Sequence, residues 1–274
     1  MLAVNQLTKT LPDGKTLLQD VSFEVKAGEC VGVIGASGAG KSLTLRHILG
    51  LTRPTSGDVT FTTPEGEVFH TCSIRGKELR RARSRIGVIF QGFHLVKRLR
   101  VIENVMIGKL GRAGAARSWI TGFSDREAYE ALEALRQVKM EGFAERMTGS
   151  LSGGEMQRVA IARAIHQKPS LFLADEPISS LDPKNARSIM KLLKPLSEND
   201  PVLGVFHQPD MVARYCTRAI GLKEGRIIHD GSPHLSGSLL NEIYGDELAE
   251  LERSPLALEG REPEATAFRE EQRA

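Results

Sequence analysis

The hydrophobic pattern of the chain changes twice. Residues 1–88 alternate polar and apolar positions as short strands do, for instance over Val21–Val25 and Asp58–Thr62. Residues 89–165 instead carry apolar side chains at helical spacing. Strand and helix patterns then alternate again over residues 166–245. The pattern predicts a mixed α/β chain with a helical segment inserted in its middle.

The segment from Asp125 to Val138 shows the helical spacing most clearly. Its apolar residues form one stripe: Ala128, Ala131, Leu132, Leu135 and Val138. Such a stripe is more typical of a core face than of a binding site. Further along, Glu224 and Gly225 separate two strand patterns and predict a hairpin.

Residues 246–274 differ in composition from the rest of the chain. They are rich in Glu, Arg and Pro and contain few large apolar side chains. We interpret them as a C-terminal extension, mobile over about its last twenty residues.

Composition indicates a globular protein. The chain has 274 residues, of which 41% are hydrophobic and 26% charged, which suits one large domain or two small ones. The net charge of +3 is too small to argue for nucleic-acid binding. The basic run Arg75–Arg85 is either a solvated helix face or a surface near anionic lipid headgroups.

The cysteines and the apolar segments bear on the cellular compartment of the protein. Cys30, Cys72 and Cys216 are scattered and odd in number, which favours reduced thiols over disulfides or a metal site. No apolar segment has the length that a membrane span needs, and the first residues lack a signal-peptide pattern. We therefore expect a cytoplasmic protein.

A glycine-rich loop provides the first candidate chemistry. Residues Gly35–Ser42 fit the phosphate-loop pattern at every fixed position, between the apolar strand Glu29–Ile34 and the helix Ser42–Leu49. The candidate binding residues are Gly35, Ala36, Ser37, Gly38, Ala39, Gly40, Lys41, Ser42 and Leu43. Backbone N–H groups would wrap phosphates, Lys41 would neutralise them, and the Ser42 hydroxyl could ligate magnesium. A glycine-rich turn with a surface lysine is the alternative.

Two carboxylates end the apolar run Ser170–Ala174. A continuous apolar run of this kind predicts a buried parallel strand that delivers Asp175 and Glu176 to the edge of a sheet. Asp175 could hold magnesium through water, and Glu176 could polarise an attacking water. The alternative is a strand followed by an acidic helix cap.

The segment Leu151–Glu155, with the sequence LSGGE, is the most specific motif. Ser152 and Glu155 have the spacing of a capping box. Gly153 and Gly154 would let an anion approach the exposed N–H groups of the first helical turn. By itself the segment is equally compatible with an ordinary capped helix.

Together these motifs resemble the ATP-binding subunit of an ABC transporter over residues 2 to about 235. The resemblance implies an α/β fold: a P-loop NTPase (RecA-like) core with an antiparallel β subdomain and an inserted α-helical signature subdomain. The ABC ATPase domain would span 1–245. Within it, 1–88 would form the β subdomain and phosphate-loop core, 89–165 the helical subdomain, and 166–245 the rest of the core.

The resemblance also assigns roles to single residues. Gln91 would sense magnesium, Asp182 would reach the opposing subunit, and His207 would contact the γ-phosphate. Leu11 stands where the family usually has an aromatic residue that stacks on adenine. An aliphatic side chain there loses about 1 to 3 kcal/mol of stacking per base, so we expect weak discrimination for adenine. The implied magnesium ligands are Ser42, Gln91 and Asp175, and the implied catalytic residues are Glu176, His207 and Gln91.

The family works with ATP and Mg²⁺ as a head-to-tail pair of subunits on membrane permeases. Ser152, Gly153, Gly154 and Glu155 would then bind the ATP of a second copy of the chain. The resemblance further implies a peripheral position at the cytoplasmic face of the bacterial inner membrane. A substrate-binding protein would be an indirect partner, and no nucleic acid is expected.

Four segments narrow the resemblance to the ATP-binding subunits of phosphonate importers: Phe90–Leu99, Glu103–Val105, Gly108–Arg112 and the insertion Trp119–Phe123. Phosphonates or related phosphorus oxyanions are therefore the expected cargo. The alternative is the ATPase of a lipoprotein, peptide or cell-division complex with another membrane partner. DNA-repair and ribosome-acting ABC ATPases carry a long coiled-coil insertion or two ATPase units, and this chain has neither.

Overall fold

The computed structural model of the protein describes residues 1–111 and 123–253. The strands are β1 (Leu2–Thr10), β2 (Thr16–Val25), β3 (Cys30–Ile34), β4 (Ser56–Thr62), β5 (Val68–His70), β6 (Ile86–Ile89), β7 (Leu171–Asp175), β8 (Val202–Val205), β9 (Arg218–Lys223) and β10 (Arg226–Gly231). The α-helices are α1 (Lys41–Ile48), α2 (Gly76–Ser84), α3 (Val101–Met106), α4 (Asp125–Gln137), α5 (Gly153–His166), α6 (Pro183–Leu193), α7 (Pro209–Tyr215), α8 (Gly237–Tyr244) and α9 (Glu247–Glu252). Short 3₁₀ helices lie at Ile107–Lys109, Glu141–Phe143, Thr148–Ser150 and Lys194–Glu198.

The strands form two sheets. The larger sheet has the order β10-β9-β3-β8-β7-β6, in which all neighbours are parallel except the β9–β10 pair. The smaller sheet, β2-β1-β4-β5, is antiparallel. The predicted α/β class, with a mostly parallel core and an antiparallel β part, is confirmed.

The central strands of the larger sheet are buried on both faces. In β3, Cys30 and Ile34 pack into one hydrophobic cluster, whereas Val31 and Val33 pack into another. Successive side chains of a strand point to opposite faces, so the sheet separates two cores. One core contains residues of α3 to α8, and the other contains α1 and the antiparallel sheet. This double burial explains the continuous apolar runs of the sequence.

The inserted helices pack on one another. Ala131, Leu135 and Val138 are fully buried or nearly so, and Ala128 and Leu132 pack against the same cluster, so the predicted core stripe is confirmed. The segment containing Trp119 lies outside the described residues except for Phe123. Among the described residues, no helix is both long and apolar enough to cross a membrane.

Two features near the end of the chain reach back towards the phosphate loop. The predicted hairpin joins β9 to β10, with positive φ angles of 47° at Glu224 and 76° at Gly225. After β10, the segment α8 packs its Ile243 and Tyr244 into the helical core. The start of the predicted C-terminal extension is helical, since α9 covers Glu247–Glu252. Residues 254–274 lie outside the described part of the chain.

Candidate functional site

Three adjacent strands converge on one edge of the larger sheet. β3, β8 and β7 are parallel neighbours, so their carboxyl ends lie side by side. The phosphate loop follows β3, Asp175 is the last residue of β7, and His207 closely follows β8. Open α/β sheets bind ligands at the carboxyl ends of their strands. The topology thus brings together motifs that the sequence separates.

A cleft of about 310 Å³ opens at this edge. It is lined by Leu17, Ser37, Gly38, Ala39, Gly40, Lys41, Ser42, Leu43, Glu176 and His207. Most of the predicted phosphate-loop residues therefore share one cavity with both predicted catalytic side chains that follow β7 and β8.

The Lys41 side chain is held inside the phosphate loop. Its Nζ donates to the carbonyl oxygens of Gly35 at 2.6 Å and Ala36 at 2.9 Å, and the residue is only 5% exposed. Burial lowers the pKa of Lys41, whereas the nearby carboxylates of Glu176, Glu247 and Asp175 act to raise it. The ammonium group lies beside the cleft, where it would exchange its carbonyl partners for phosphate oxygens if an anion bound there.

Ser42 and Asp175 form a pair of oxygen ligands. The Ser42 hydroxyl donates to Oδ1 of Asp175 at 3.0 Å. Burial raises the pKa of the Asp175 carboxyl, because the Ser42 hydroxyl, Arg46 and Lys41 provide only part of the stabilisation that its charge needs. A hard cation would supply that stabilisation, and Mg²⁺ needs only one or two protein oxygens besides water and phosphate. Among the described residues no cluster of three or more His, Cys, Asp and Glu could hold a metal by itself. The donor set therefore fits Mg²⁺ bound together with a phosphate group.

Glu176 and His207 are in direct contact. Oε1 of Glu176 lies 2.7 Å from Nε2 of His207, and the two side chains are 15% and 29% exposed. Glu176 has a positive φ of 48°, which is uncommon for a residue with a side chain. The backbone is held by the bond from its N–H to the carbonyl of Val205 in β8. Such a strained backbone aims a carboxylate at the cleft, as functional residues often require.

Gln91 lies on a neighbouring groove and not among the residues that line the cleft. This groove of about 500 Å³ is lined by Leu45, Arg46, Leu49, Leu51, Val88, Phe90, Gln91, Gly92, His94, Leu173 and Asp175. Asp175 borders the groove, so Gln91 shares it with one residue of the Ser42–Asp175 pair. Arg163 holds the loop after Gln91, since its guanidinium donates to the carbonyls of His94 at 2.6 Å and Phe93 at 3.0 Å.

The LSGGE segment begins helix α5 with a capping box. Ser152 Oγ accepts from the N–H of Glu155 at 3.4 Å, and Glu155 Oε2 accepts from the N–H of Ser152 at 2.8 Å. This bond to the Ser152 backbone holds the pKa of the Glu155 carboxyl below its usual value. The capping interpretation of the motif is confirmed. Gly153 and Gly154 form the first two positions of the helix, where Gly153 is half-buried and Gly154 is buried.

Asp182 lies next to this segment. It caps α6 by accepting from the N–H of Asn185 at 3.0 Å, and its other oxygen accepts from the Asn185 amide at 2.6 Å. Gly154 is close to the same side chain, because a Cβ at Gly154 would lie 2.8 Å from Cγ of Asn185. Among the described residues that line the phosphate-loop cleft, none belongs to 152–155 and none is Asp182. One chain therefore presents these motifs on a separate surface.

The first hairpin places Leu17 beside the cleft, and Leu11, the predicted adenine contact, is not among the residues that line this cleft. Leu11 lies in the turn between β1 and β2, where its N–H donates to Lys15 and its carbonyl accepts from Gly14. Leu17 lines the cleft, while the adjacent Leu18 is fully buried. The pair Leu17-Leu18 is a sequence signal that we missed. Neighbouring side chains of a strand point to opposite faces, so when Leu18 points into the core, Leu17 must point to the other face.

Two further residues at the site come from α8 and α9. Tyr244 donates from its hydroxyl to the carbonyl oxygen of His207 at 3.0 Å. Glu247 accepts from the N–H of Ser37 in the phosphate loop. No sequence motif indicated either residue, because both contacts depend on how the chain returns to the sheet.

The same motifs identify the protein family. Residues 18–179 match the sequence profile described as ABC transporter. The chain belongs to the ABC transporter family. Its fold is accordingly the P-loop NTPase fold of the ATP-binding cassettes, as the sequence predicted.

Several relatives are similar over nearly their full length. Phosphonates import ATP-binding protein PhnC 1 of Pseudomonas aeruginosa is 45% identical over 250 residues, which cover 90% of each chain. Phosphonates import ATP-binding protein PhnC of Stutzerimonas stutzeri is 45% identical over 253 residues, again covering 90% of each chain. The protein of the same name from Bordetella parapertussis is 41% identical and covers 90% of this chain and 97% of its own.

Solved structures show the same cassette. The dimeric post-hydrolysis state of the ATP-binding cassette MJ0796 bound to ADP and Pi has a TM-score of 0.71 and 35% identity, and it covers 86% of this chain and 100% of that one. The ADP conformation of the cassette MJ1267 has a TM-score of 0.74 and 25% identity, with 92% and 97% of the two chains covered.

Proposed function

We propose that this protein binds and hydrolyses ATP to power an ABC importer of phosphonates or related phosphorus oxyanions. The observation that carries the proposal for ATP is the Glu176–His207 pair at 2.7 Å beside the phosphate loop. The similarity that supports the cargo is the 45% identity, over 90% of each chain, to proteins named as phosphonate import subunits.

The phosphate loop would bind the nucleotide through its backbone N–H groups. Lys41 would add a compact positive charge beside the β- and γ-phosphates. Ser42, Asp175 and Gln91 would hold Mg²⁺, which would supply charge stabilisation to the phosphate oxygens. Leu17 would pack against the nucleoside, since it lines the same cleft.

Glu176 would act as the general base. Its carboxylate would orient a water for in-line attack on the γ-phosphorus and accept the proton that the water loses. His207 would keep that carboxylate in place and face the γ-phosphate. Because phosphoryl transfer depends mostly on positioning and charge, these contacts matter more to the rate than to binding.

Hydrolysis would require two copies of the chain. The segment Ser152–Glu155 and Asp182 lie away from the cleft of their own chain, so they are available to close on the ATP of a head-to-tail partner. The first turn of α5 begins with Gly153 and Gly154, whose backbone N–H groups at the helix N-terminus would suit a γ-phosphate. The resemblance to dimeric cassettes supports this arrangement.

The groove beside Gln91 would receive the membrane permease at the cytoplasmic face of the bacterial inner membrane. Leu45, Leu49 and Phe90 give it an apolar lining, and Leu51 at its border is 57% exposed. An exposed apolar groove of this kind suits a short permease helix. Because Asp175 borders the same groove, docking of the permease would change the surroundings of a proposed Mg²⁺ ligand.

Liposomes that contain the cognate permease, with the substrate-binding protein added, provide the test. We expect methylphosphonate to stimulate ATP hydrolysis more than phosphate or phosphite does, and sulfate to give no stimulation. Vesicles without the binding protein are the control. If none of the four anions changes the rate of ATP hydrolysis, the ATPase belongs to another ABC system. If the protein does not hydrolyse ATP at all, the proposal that it is an ATPase is refuted.

A further inference from the structure

The C-terminal helix places a carboxylate on the phosphate loop. Glu247, the first residue of α9, accepts from the backbone N–H of Ser37 with Oε2 at 2.9 Å and Oε1 at 3.2 Å. Ser37 lies in the middle of the loop and lines its cleft. The contact joins residues 210 positions apart, so it arises from tertiary structure and not from local sequence.

A carboxylate at this position resembles a phosphate group. Both present anionic oxygens that accept from backbone N–H groups, and loops of consecutive N–H groups attract either one. A phosphate oxygen and the Glu247 carboxylate cannot share the Ser37 N–H, because the two negative charges would lie within hydrogen-bonding distance of one donor. Nucleotide binding at Ser37 therefore requires that Glu247 leaves.

The structure also shows which part of the chain could move. Ile243 and Tyr244 in α8 are 1% and 3% exposed, and the Tyr244 hydroxyl donates to the His207 carbonyl at 3.0 Å, so α8 is anchored. Gly245 follows with φ 54° and ψ −129°, which only glycine adopts readily. On the far side of Gly245, α9 has only six residues. Among its described side chains, Leu248 is buried at 8% exposure and Leu251 packs partly buried against the same core. Gly245 thus separates α8, which is anchored in the core, from α9, which has fewer side chains packed there.

We propose that Glu247 is an internal competitor of ATP: it occupies the phosphate loop of the nucleotide-free chain, and ATP displaces it together with α9. The proposal rests on the proposed function, because it assumes that ATP binds at this loop. It makes α9 a segment whose position depends on nucleotide occupancy.

Isothermal titration of the full chain with a non-hydrolysable ATP analogue and Mg²⁺ tests the competition. In Glu247→Gln the charge is lost and the shape is kept, so we expect the Kd to fall about three- to tenfold. Glu250→Gln is the matched control: it removes the same charge from an exposed position of the same helix, and its Kd should equal that of the parent.

Each outcome has one meaning. Equal Kd values for Glu247→Gln and Glu250→Gln would overturn the competition, and a higher Kd for Glu247→Gln would show that the carboxylate assists nucleotide binding. If the parent chain binds no analogue, the proposed function fails, and not only the competition by Glu247. Hydrogen exchange of the parent gives a second readout, in which the analogue should speed exchange in residues 247–252. Unchanged or slower exchange there would overturn the displacement of α9.

Discussion

The Ser42 hydroxyl donates to Oδ1 of Asp175 over 3.0 Å, although 133 positions separate the two residues. Ser42 lies in the first turn of the helix after the phosphate loop, and Asp175 ends a strand two places along the sheet. The pair is thus a direct product of strand order. It concentrates oxygen ligands beside the loop and keeps the Asp175 carboxylate half-buried.

Replacing Asp175 should change the stability of the protein in a pH-dependent way, because burial of the Asp175 charge costs free energy of folding. Burial raises the pKa of Asp175 above its usual 3.8, so the folded chain binds this proton more tightly than the unfolded chain does. The free energy of unfolding therefore decreases as pH rises through that range. Asp175→Asn, whose amide oxygen can still accept from Ser42, should unfold at a higher temperature than the parent at pH 7 without nucleotide and Mg²⁺.

The advantage of Asp175→Asn should shrink as pH approaches 3.8, the usual carboxyl value. Thermal unfolding followed by circular dichroism at several pH values measures it. An advantage of the same size at every pH would mean that the carboxylate charge is not its source. Hydrolysis by the variant should be lost in either case, because the neutral amide is a poor ligand for Mg²⁺.

Glu176→Gln should separate binding from chemistry. The amide cannot accept a proton from water, so we expect hydrolysis to slow by at least about 100-fold. The shape and the contact with His207 are nearly kept, so the Kd for ATP should stay within about threefold of the parent. Turnover assays and equilibrium titration measure the two effects. A normal turnover rate would remove Glu176 from the role of base.

Leu17 should matter more to ATP binding than Leu11. Because Leu17 lines the cleft, Leu17→Ala should weaken ATP binding about five- to tenfold through lost apolar contact. Leu11 lies in the preceding turn, so Leu11→Ala should change the Kd less than about twofold. Titration with ATP and GTP gives the comparison. The reverse ranking, or a gain for ATP in Leu11→Tyr, would return the adenine contact to Leu11.

Gly154 and Asn185 should show coupled effects on stability. A methyl group at Gly154 would lie 2.8 Å from Cγ of Asn185, so Gly154→Ala should reduce the free energy of unfolding by about 1–3 kcal/mol. Asn185→Ala makes room for the methyl group and keeps the backbone N–H that Asp182 caps. The double variant should therefore be more stable than the sum of the single changes predicts. Denaturant unfolding of all four proteins measures this, and strict additivity would contradict the contact.

Local patterns were enough for the elements and the motifs. The run Ser170–Ala174 predicted a buried strand, and β7 covers Leu171–Asp175. The apolar stripe predicted a helix from Asp125, and α4 begins there behind a capping box at Ser124. These elements follow from hydrophobic spacing and capping, which act over a few residues. The phosphate loop could also be predicted from the sequence, because its glycines and Lys41 lie close together in the chain.

The sequence by itself determined the strand before Asp175, the helix from Asp125, the hairpin at Glu224, the phosphate loop and the family of this protein, since each depends on neighbouring residues. Only the tertiary structure decided that Leu17 faces the cleft, that Glu176 meets His207, and that Glu247 reaches Ser37. The order of the parallel strands sets the first two contacts. The return of the chain through α8 sets the third. Contacts between distant residues depend on how whole elements pack, and no local pattern encodes that packing.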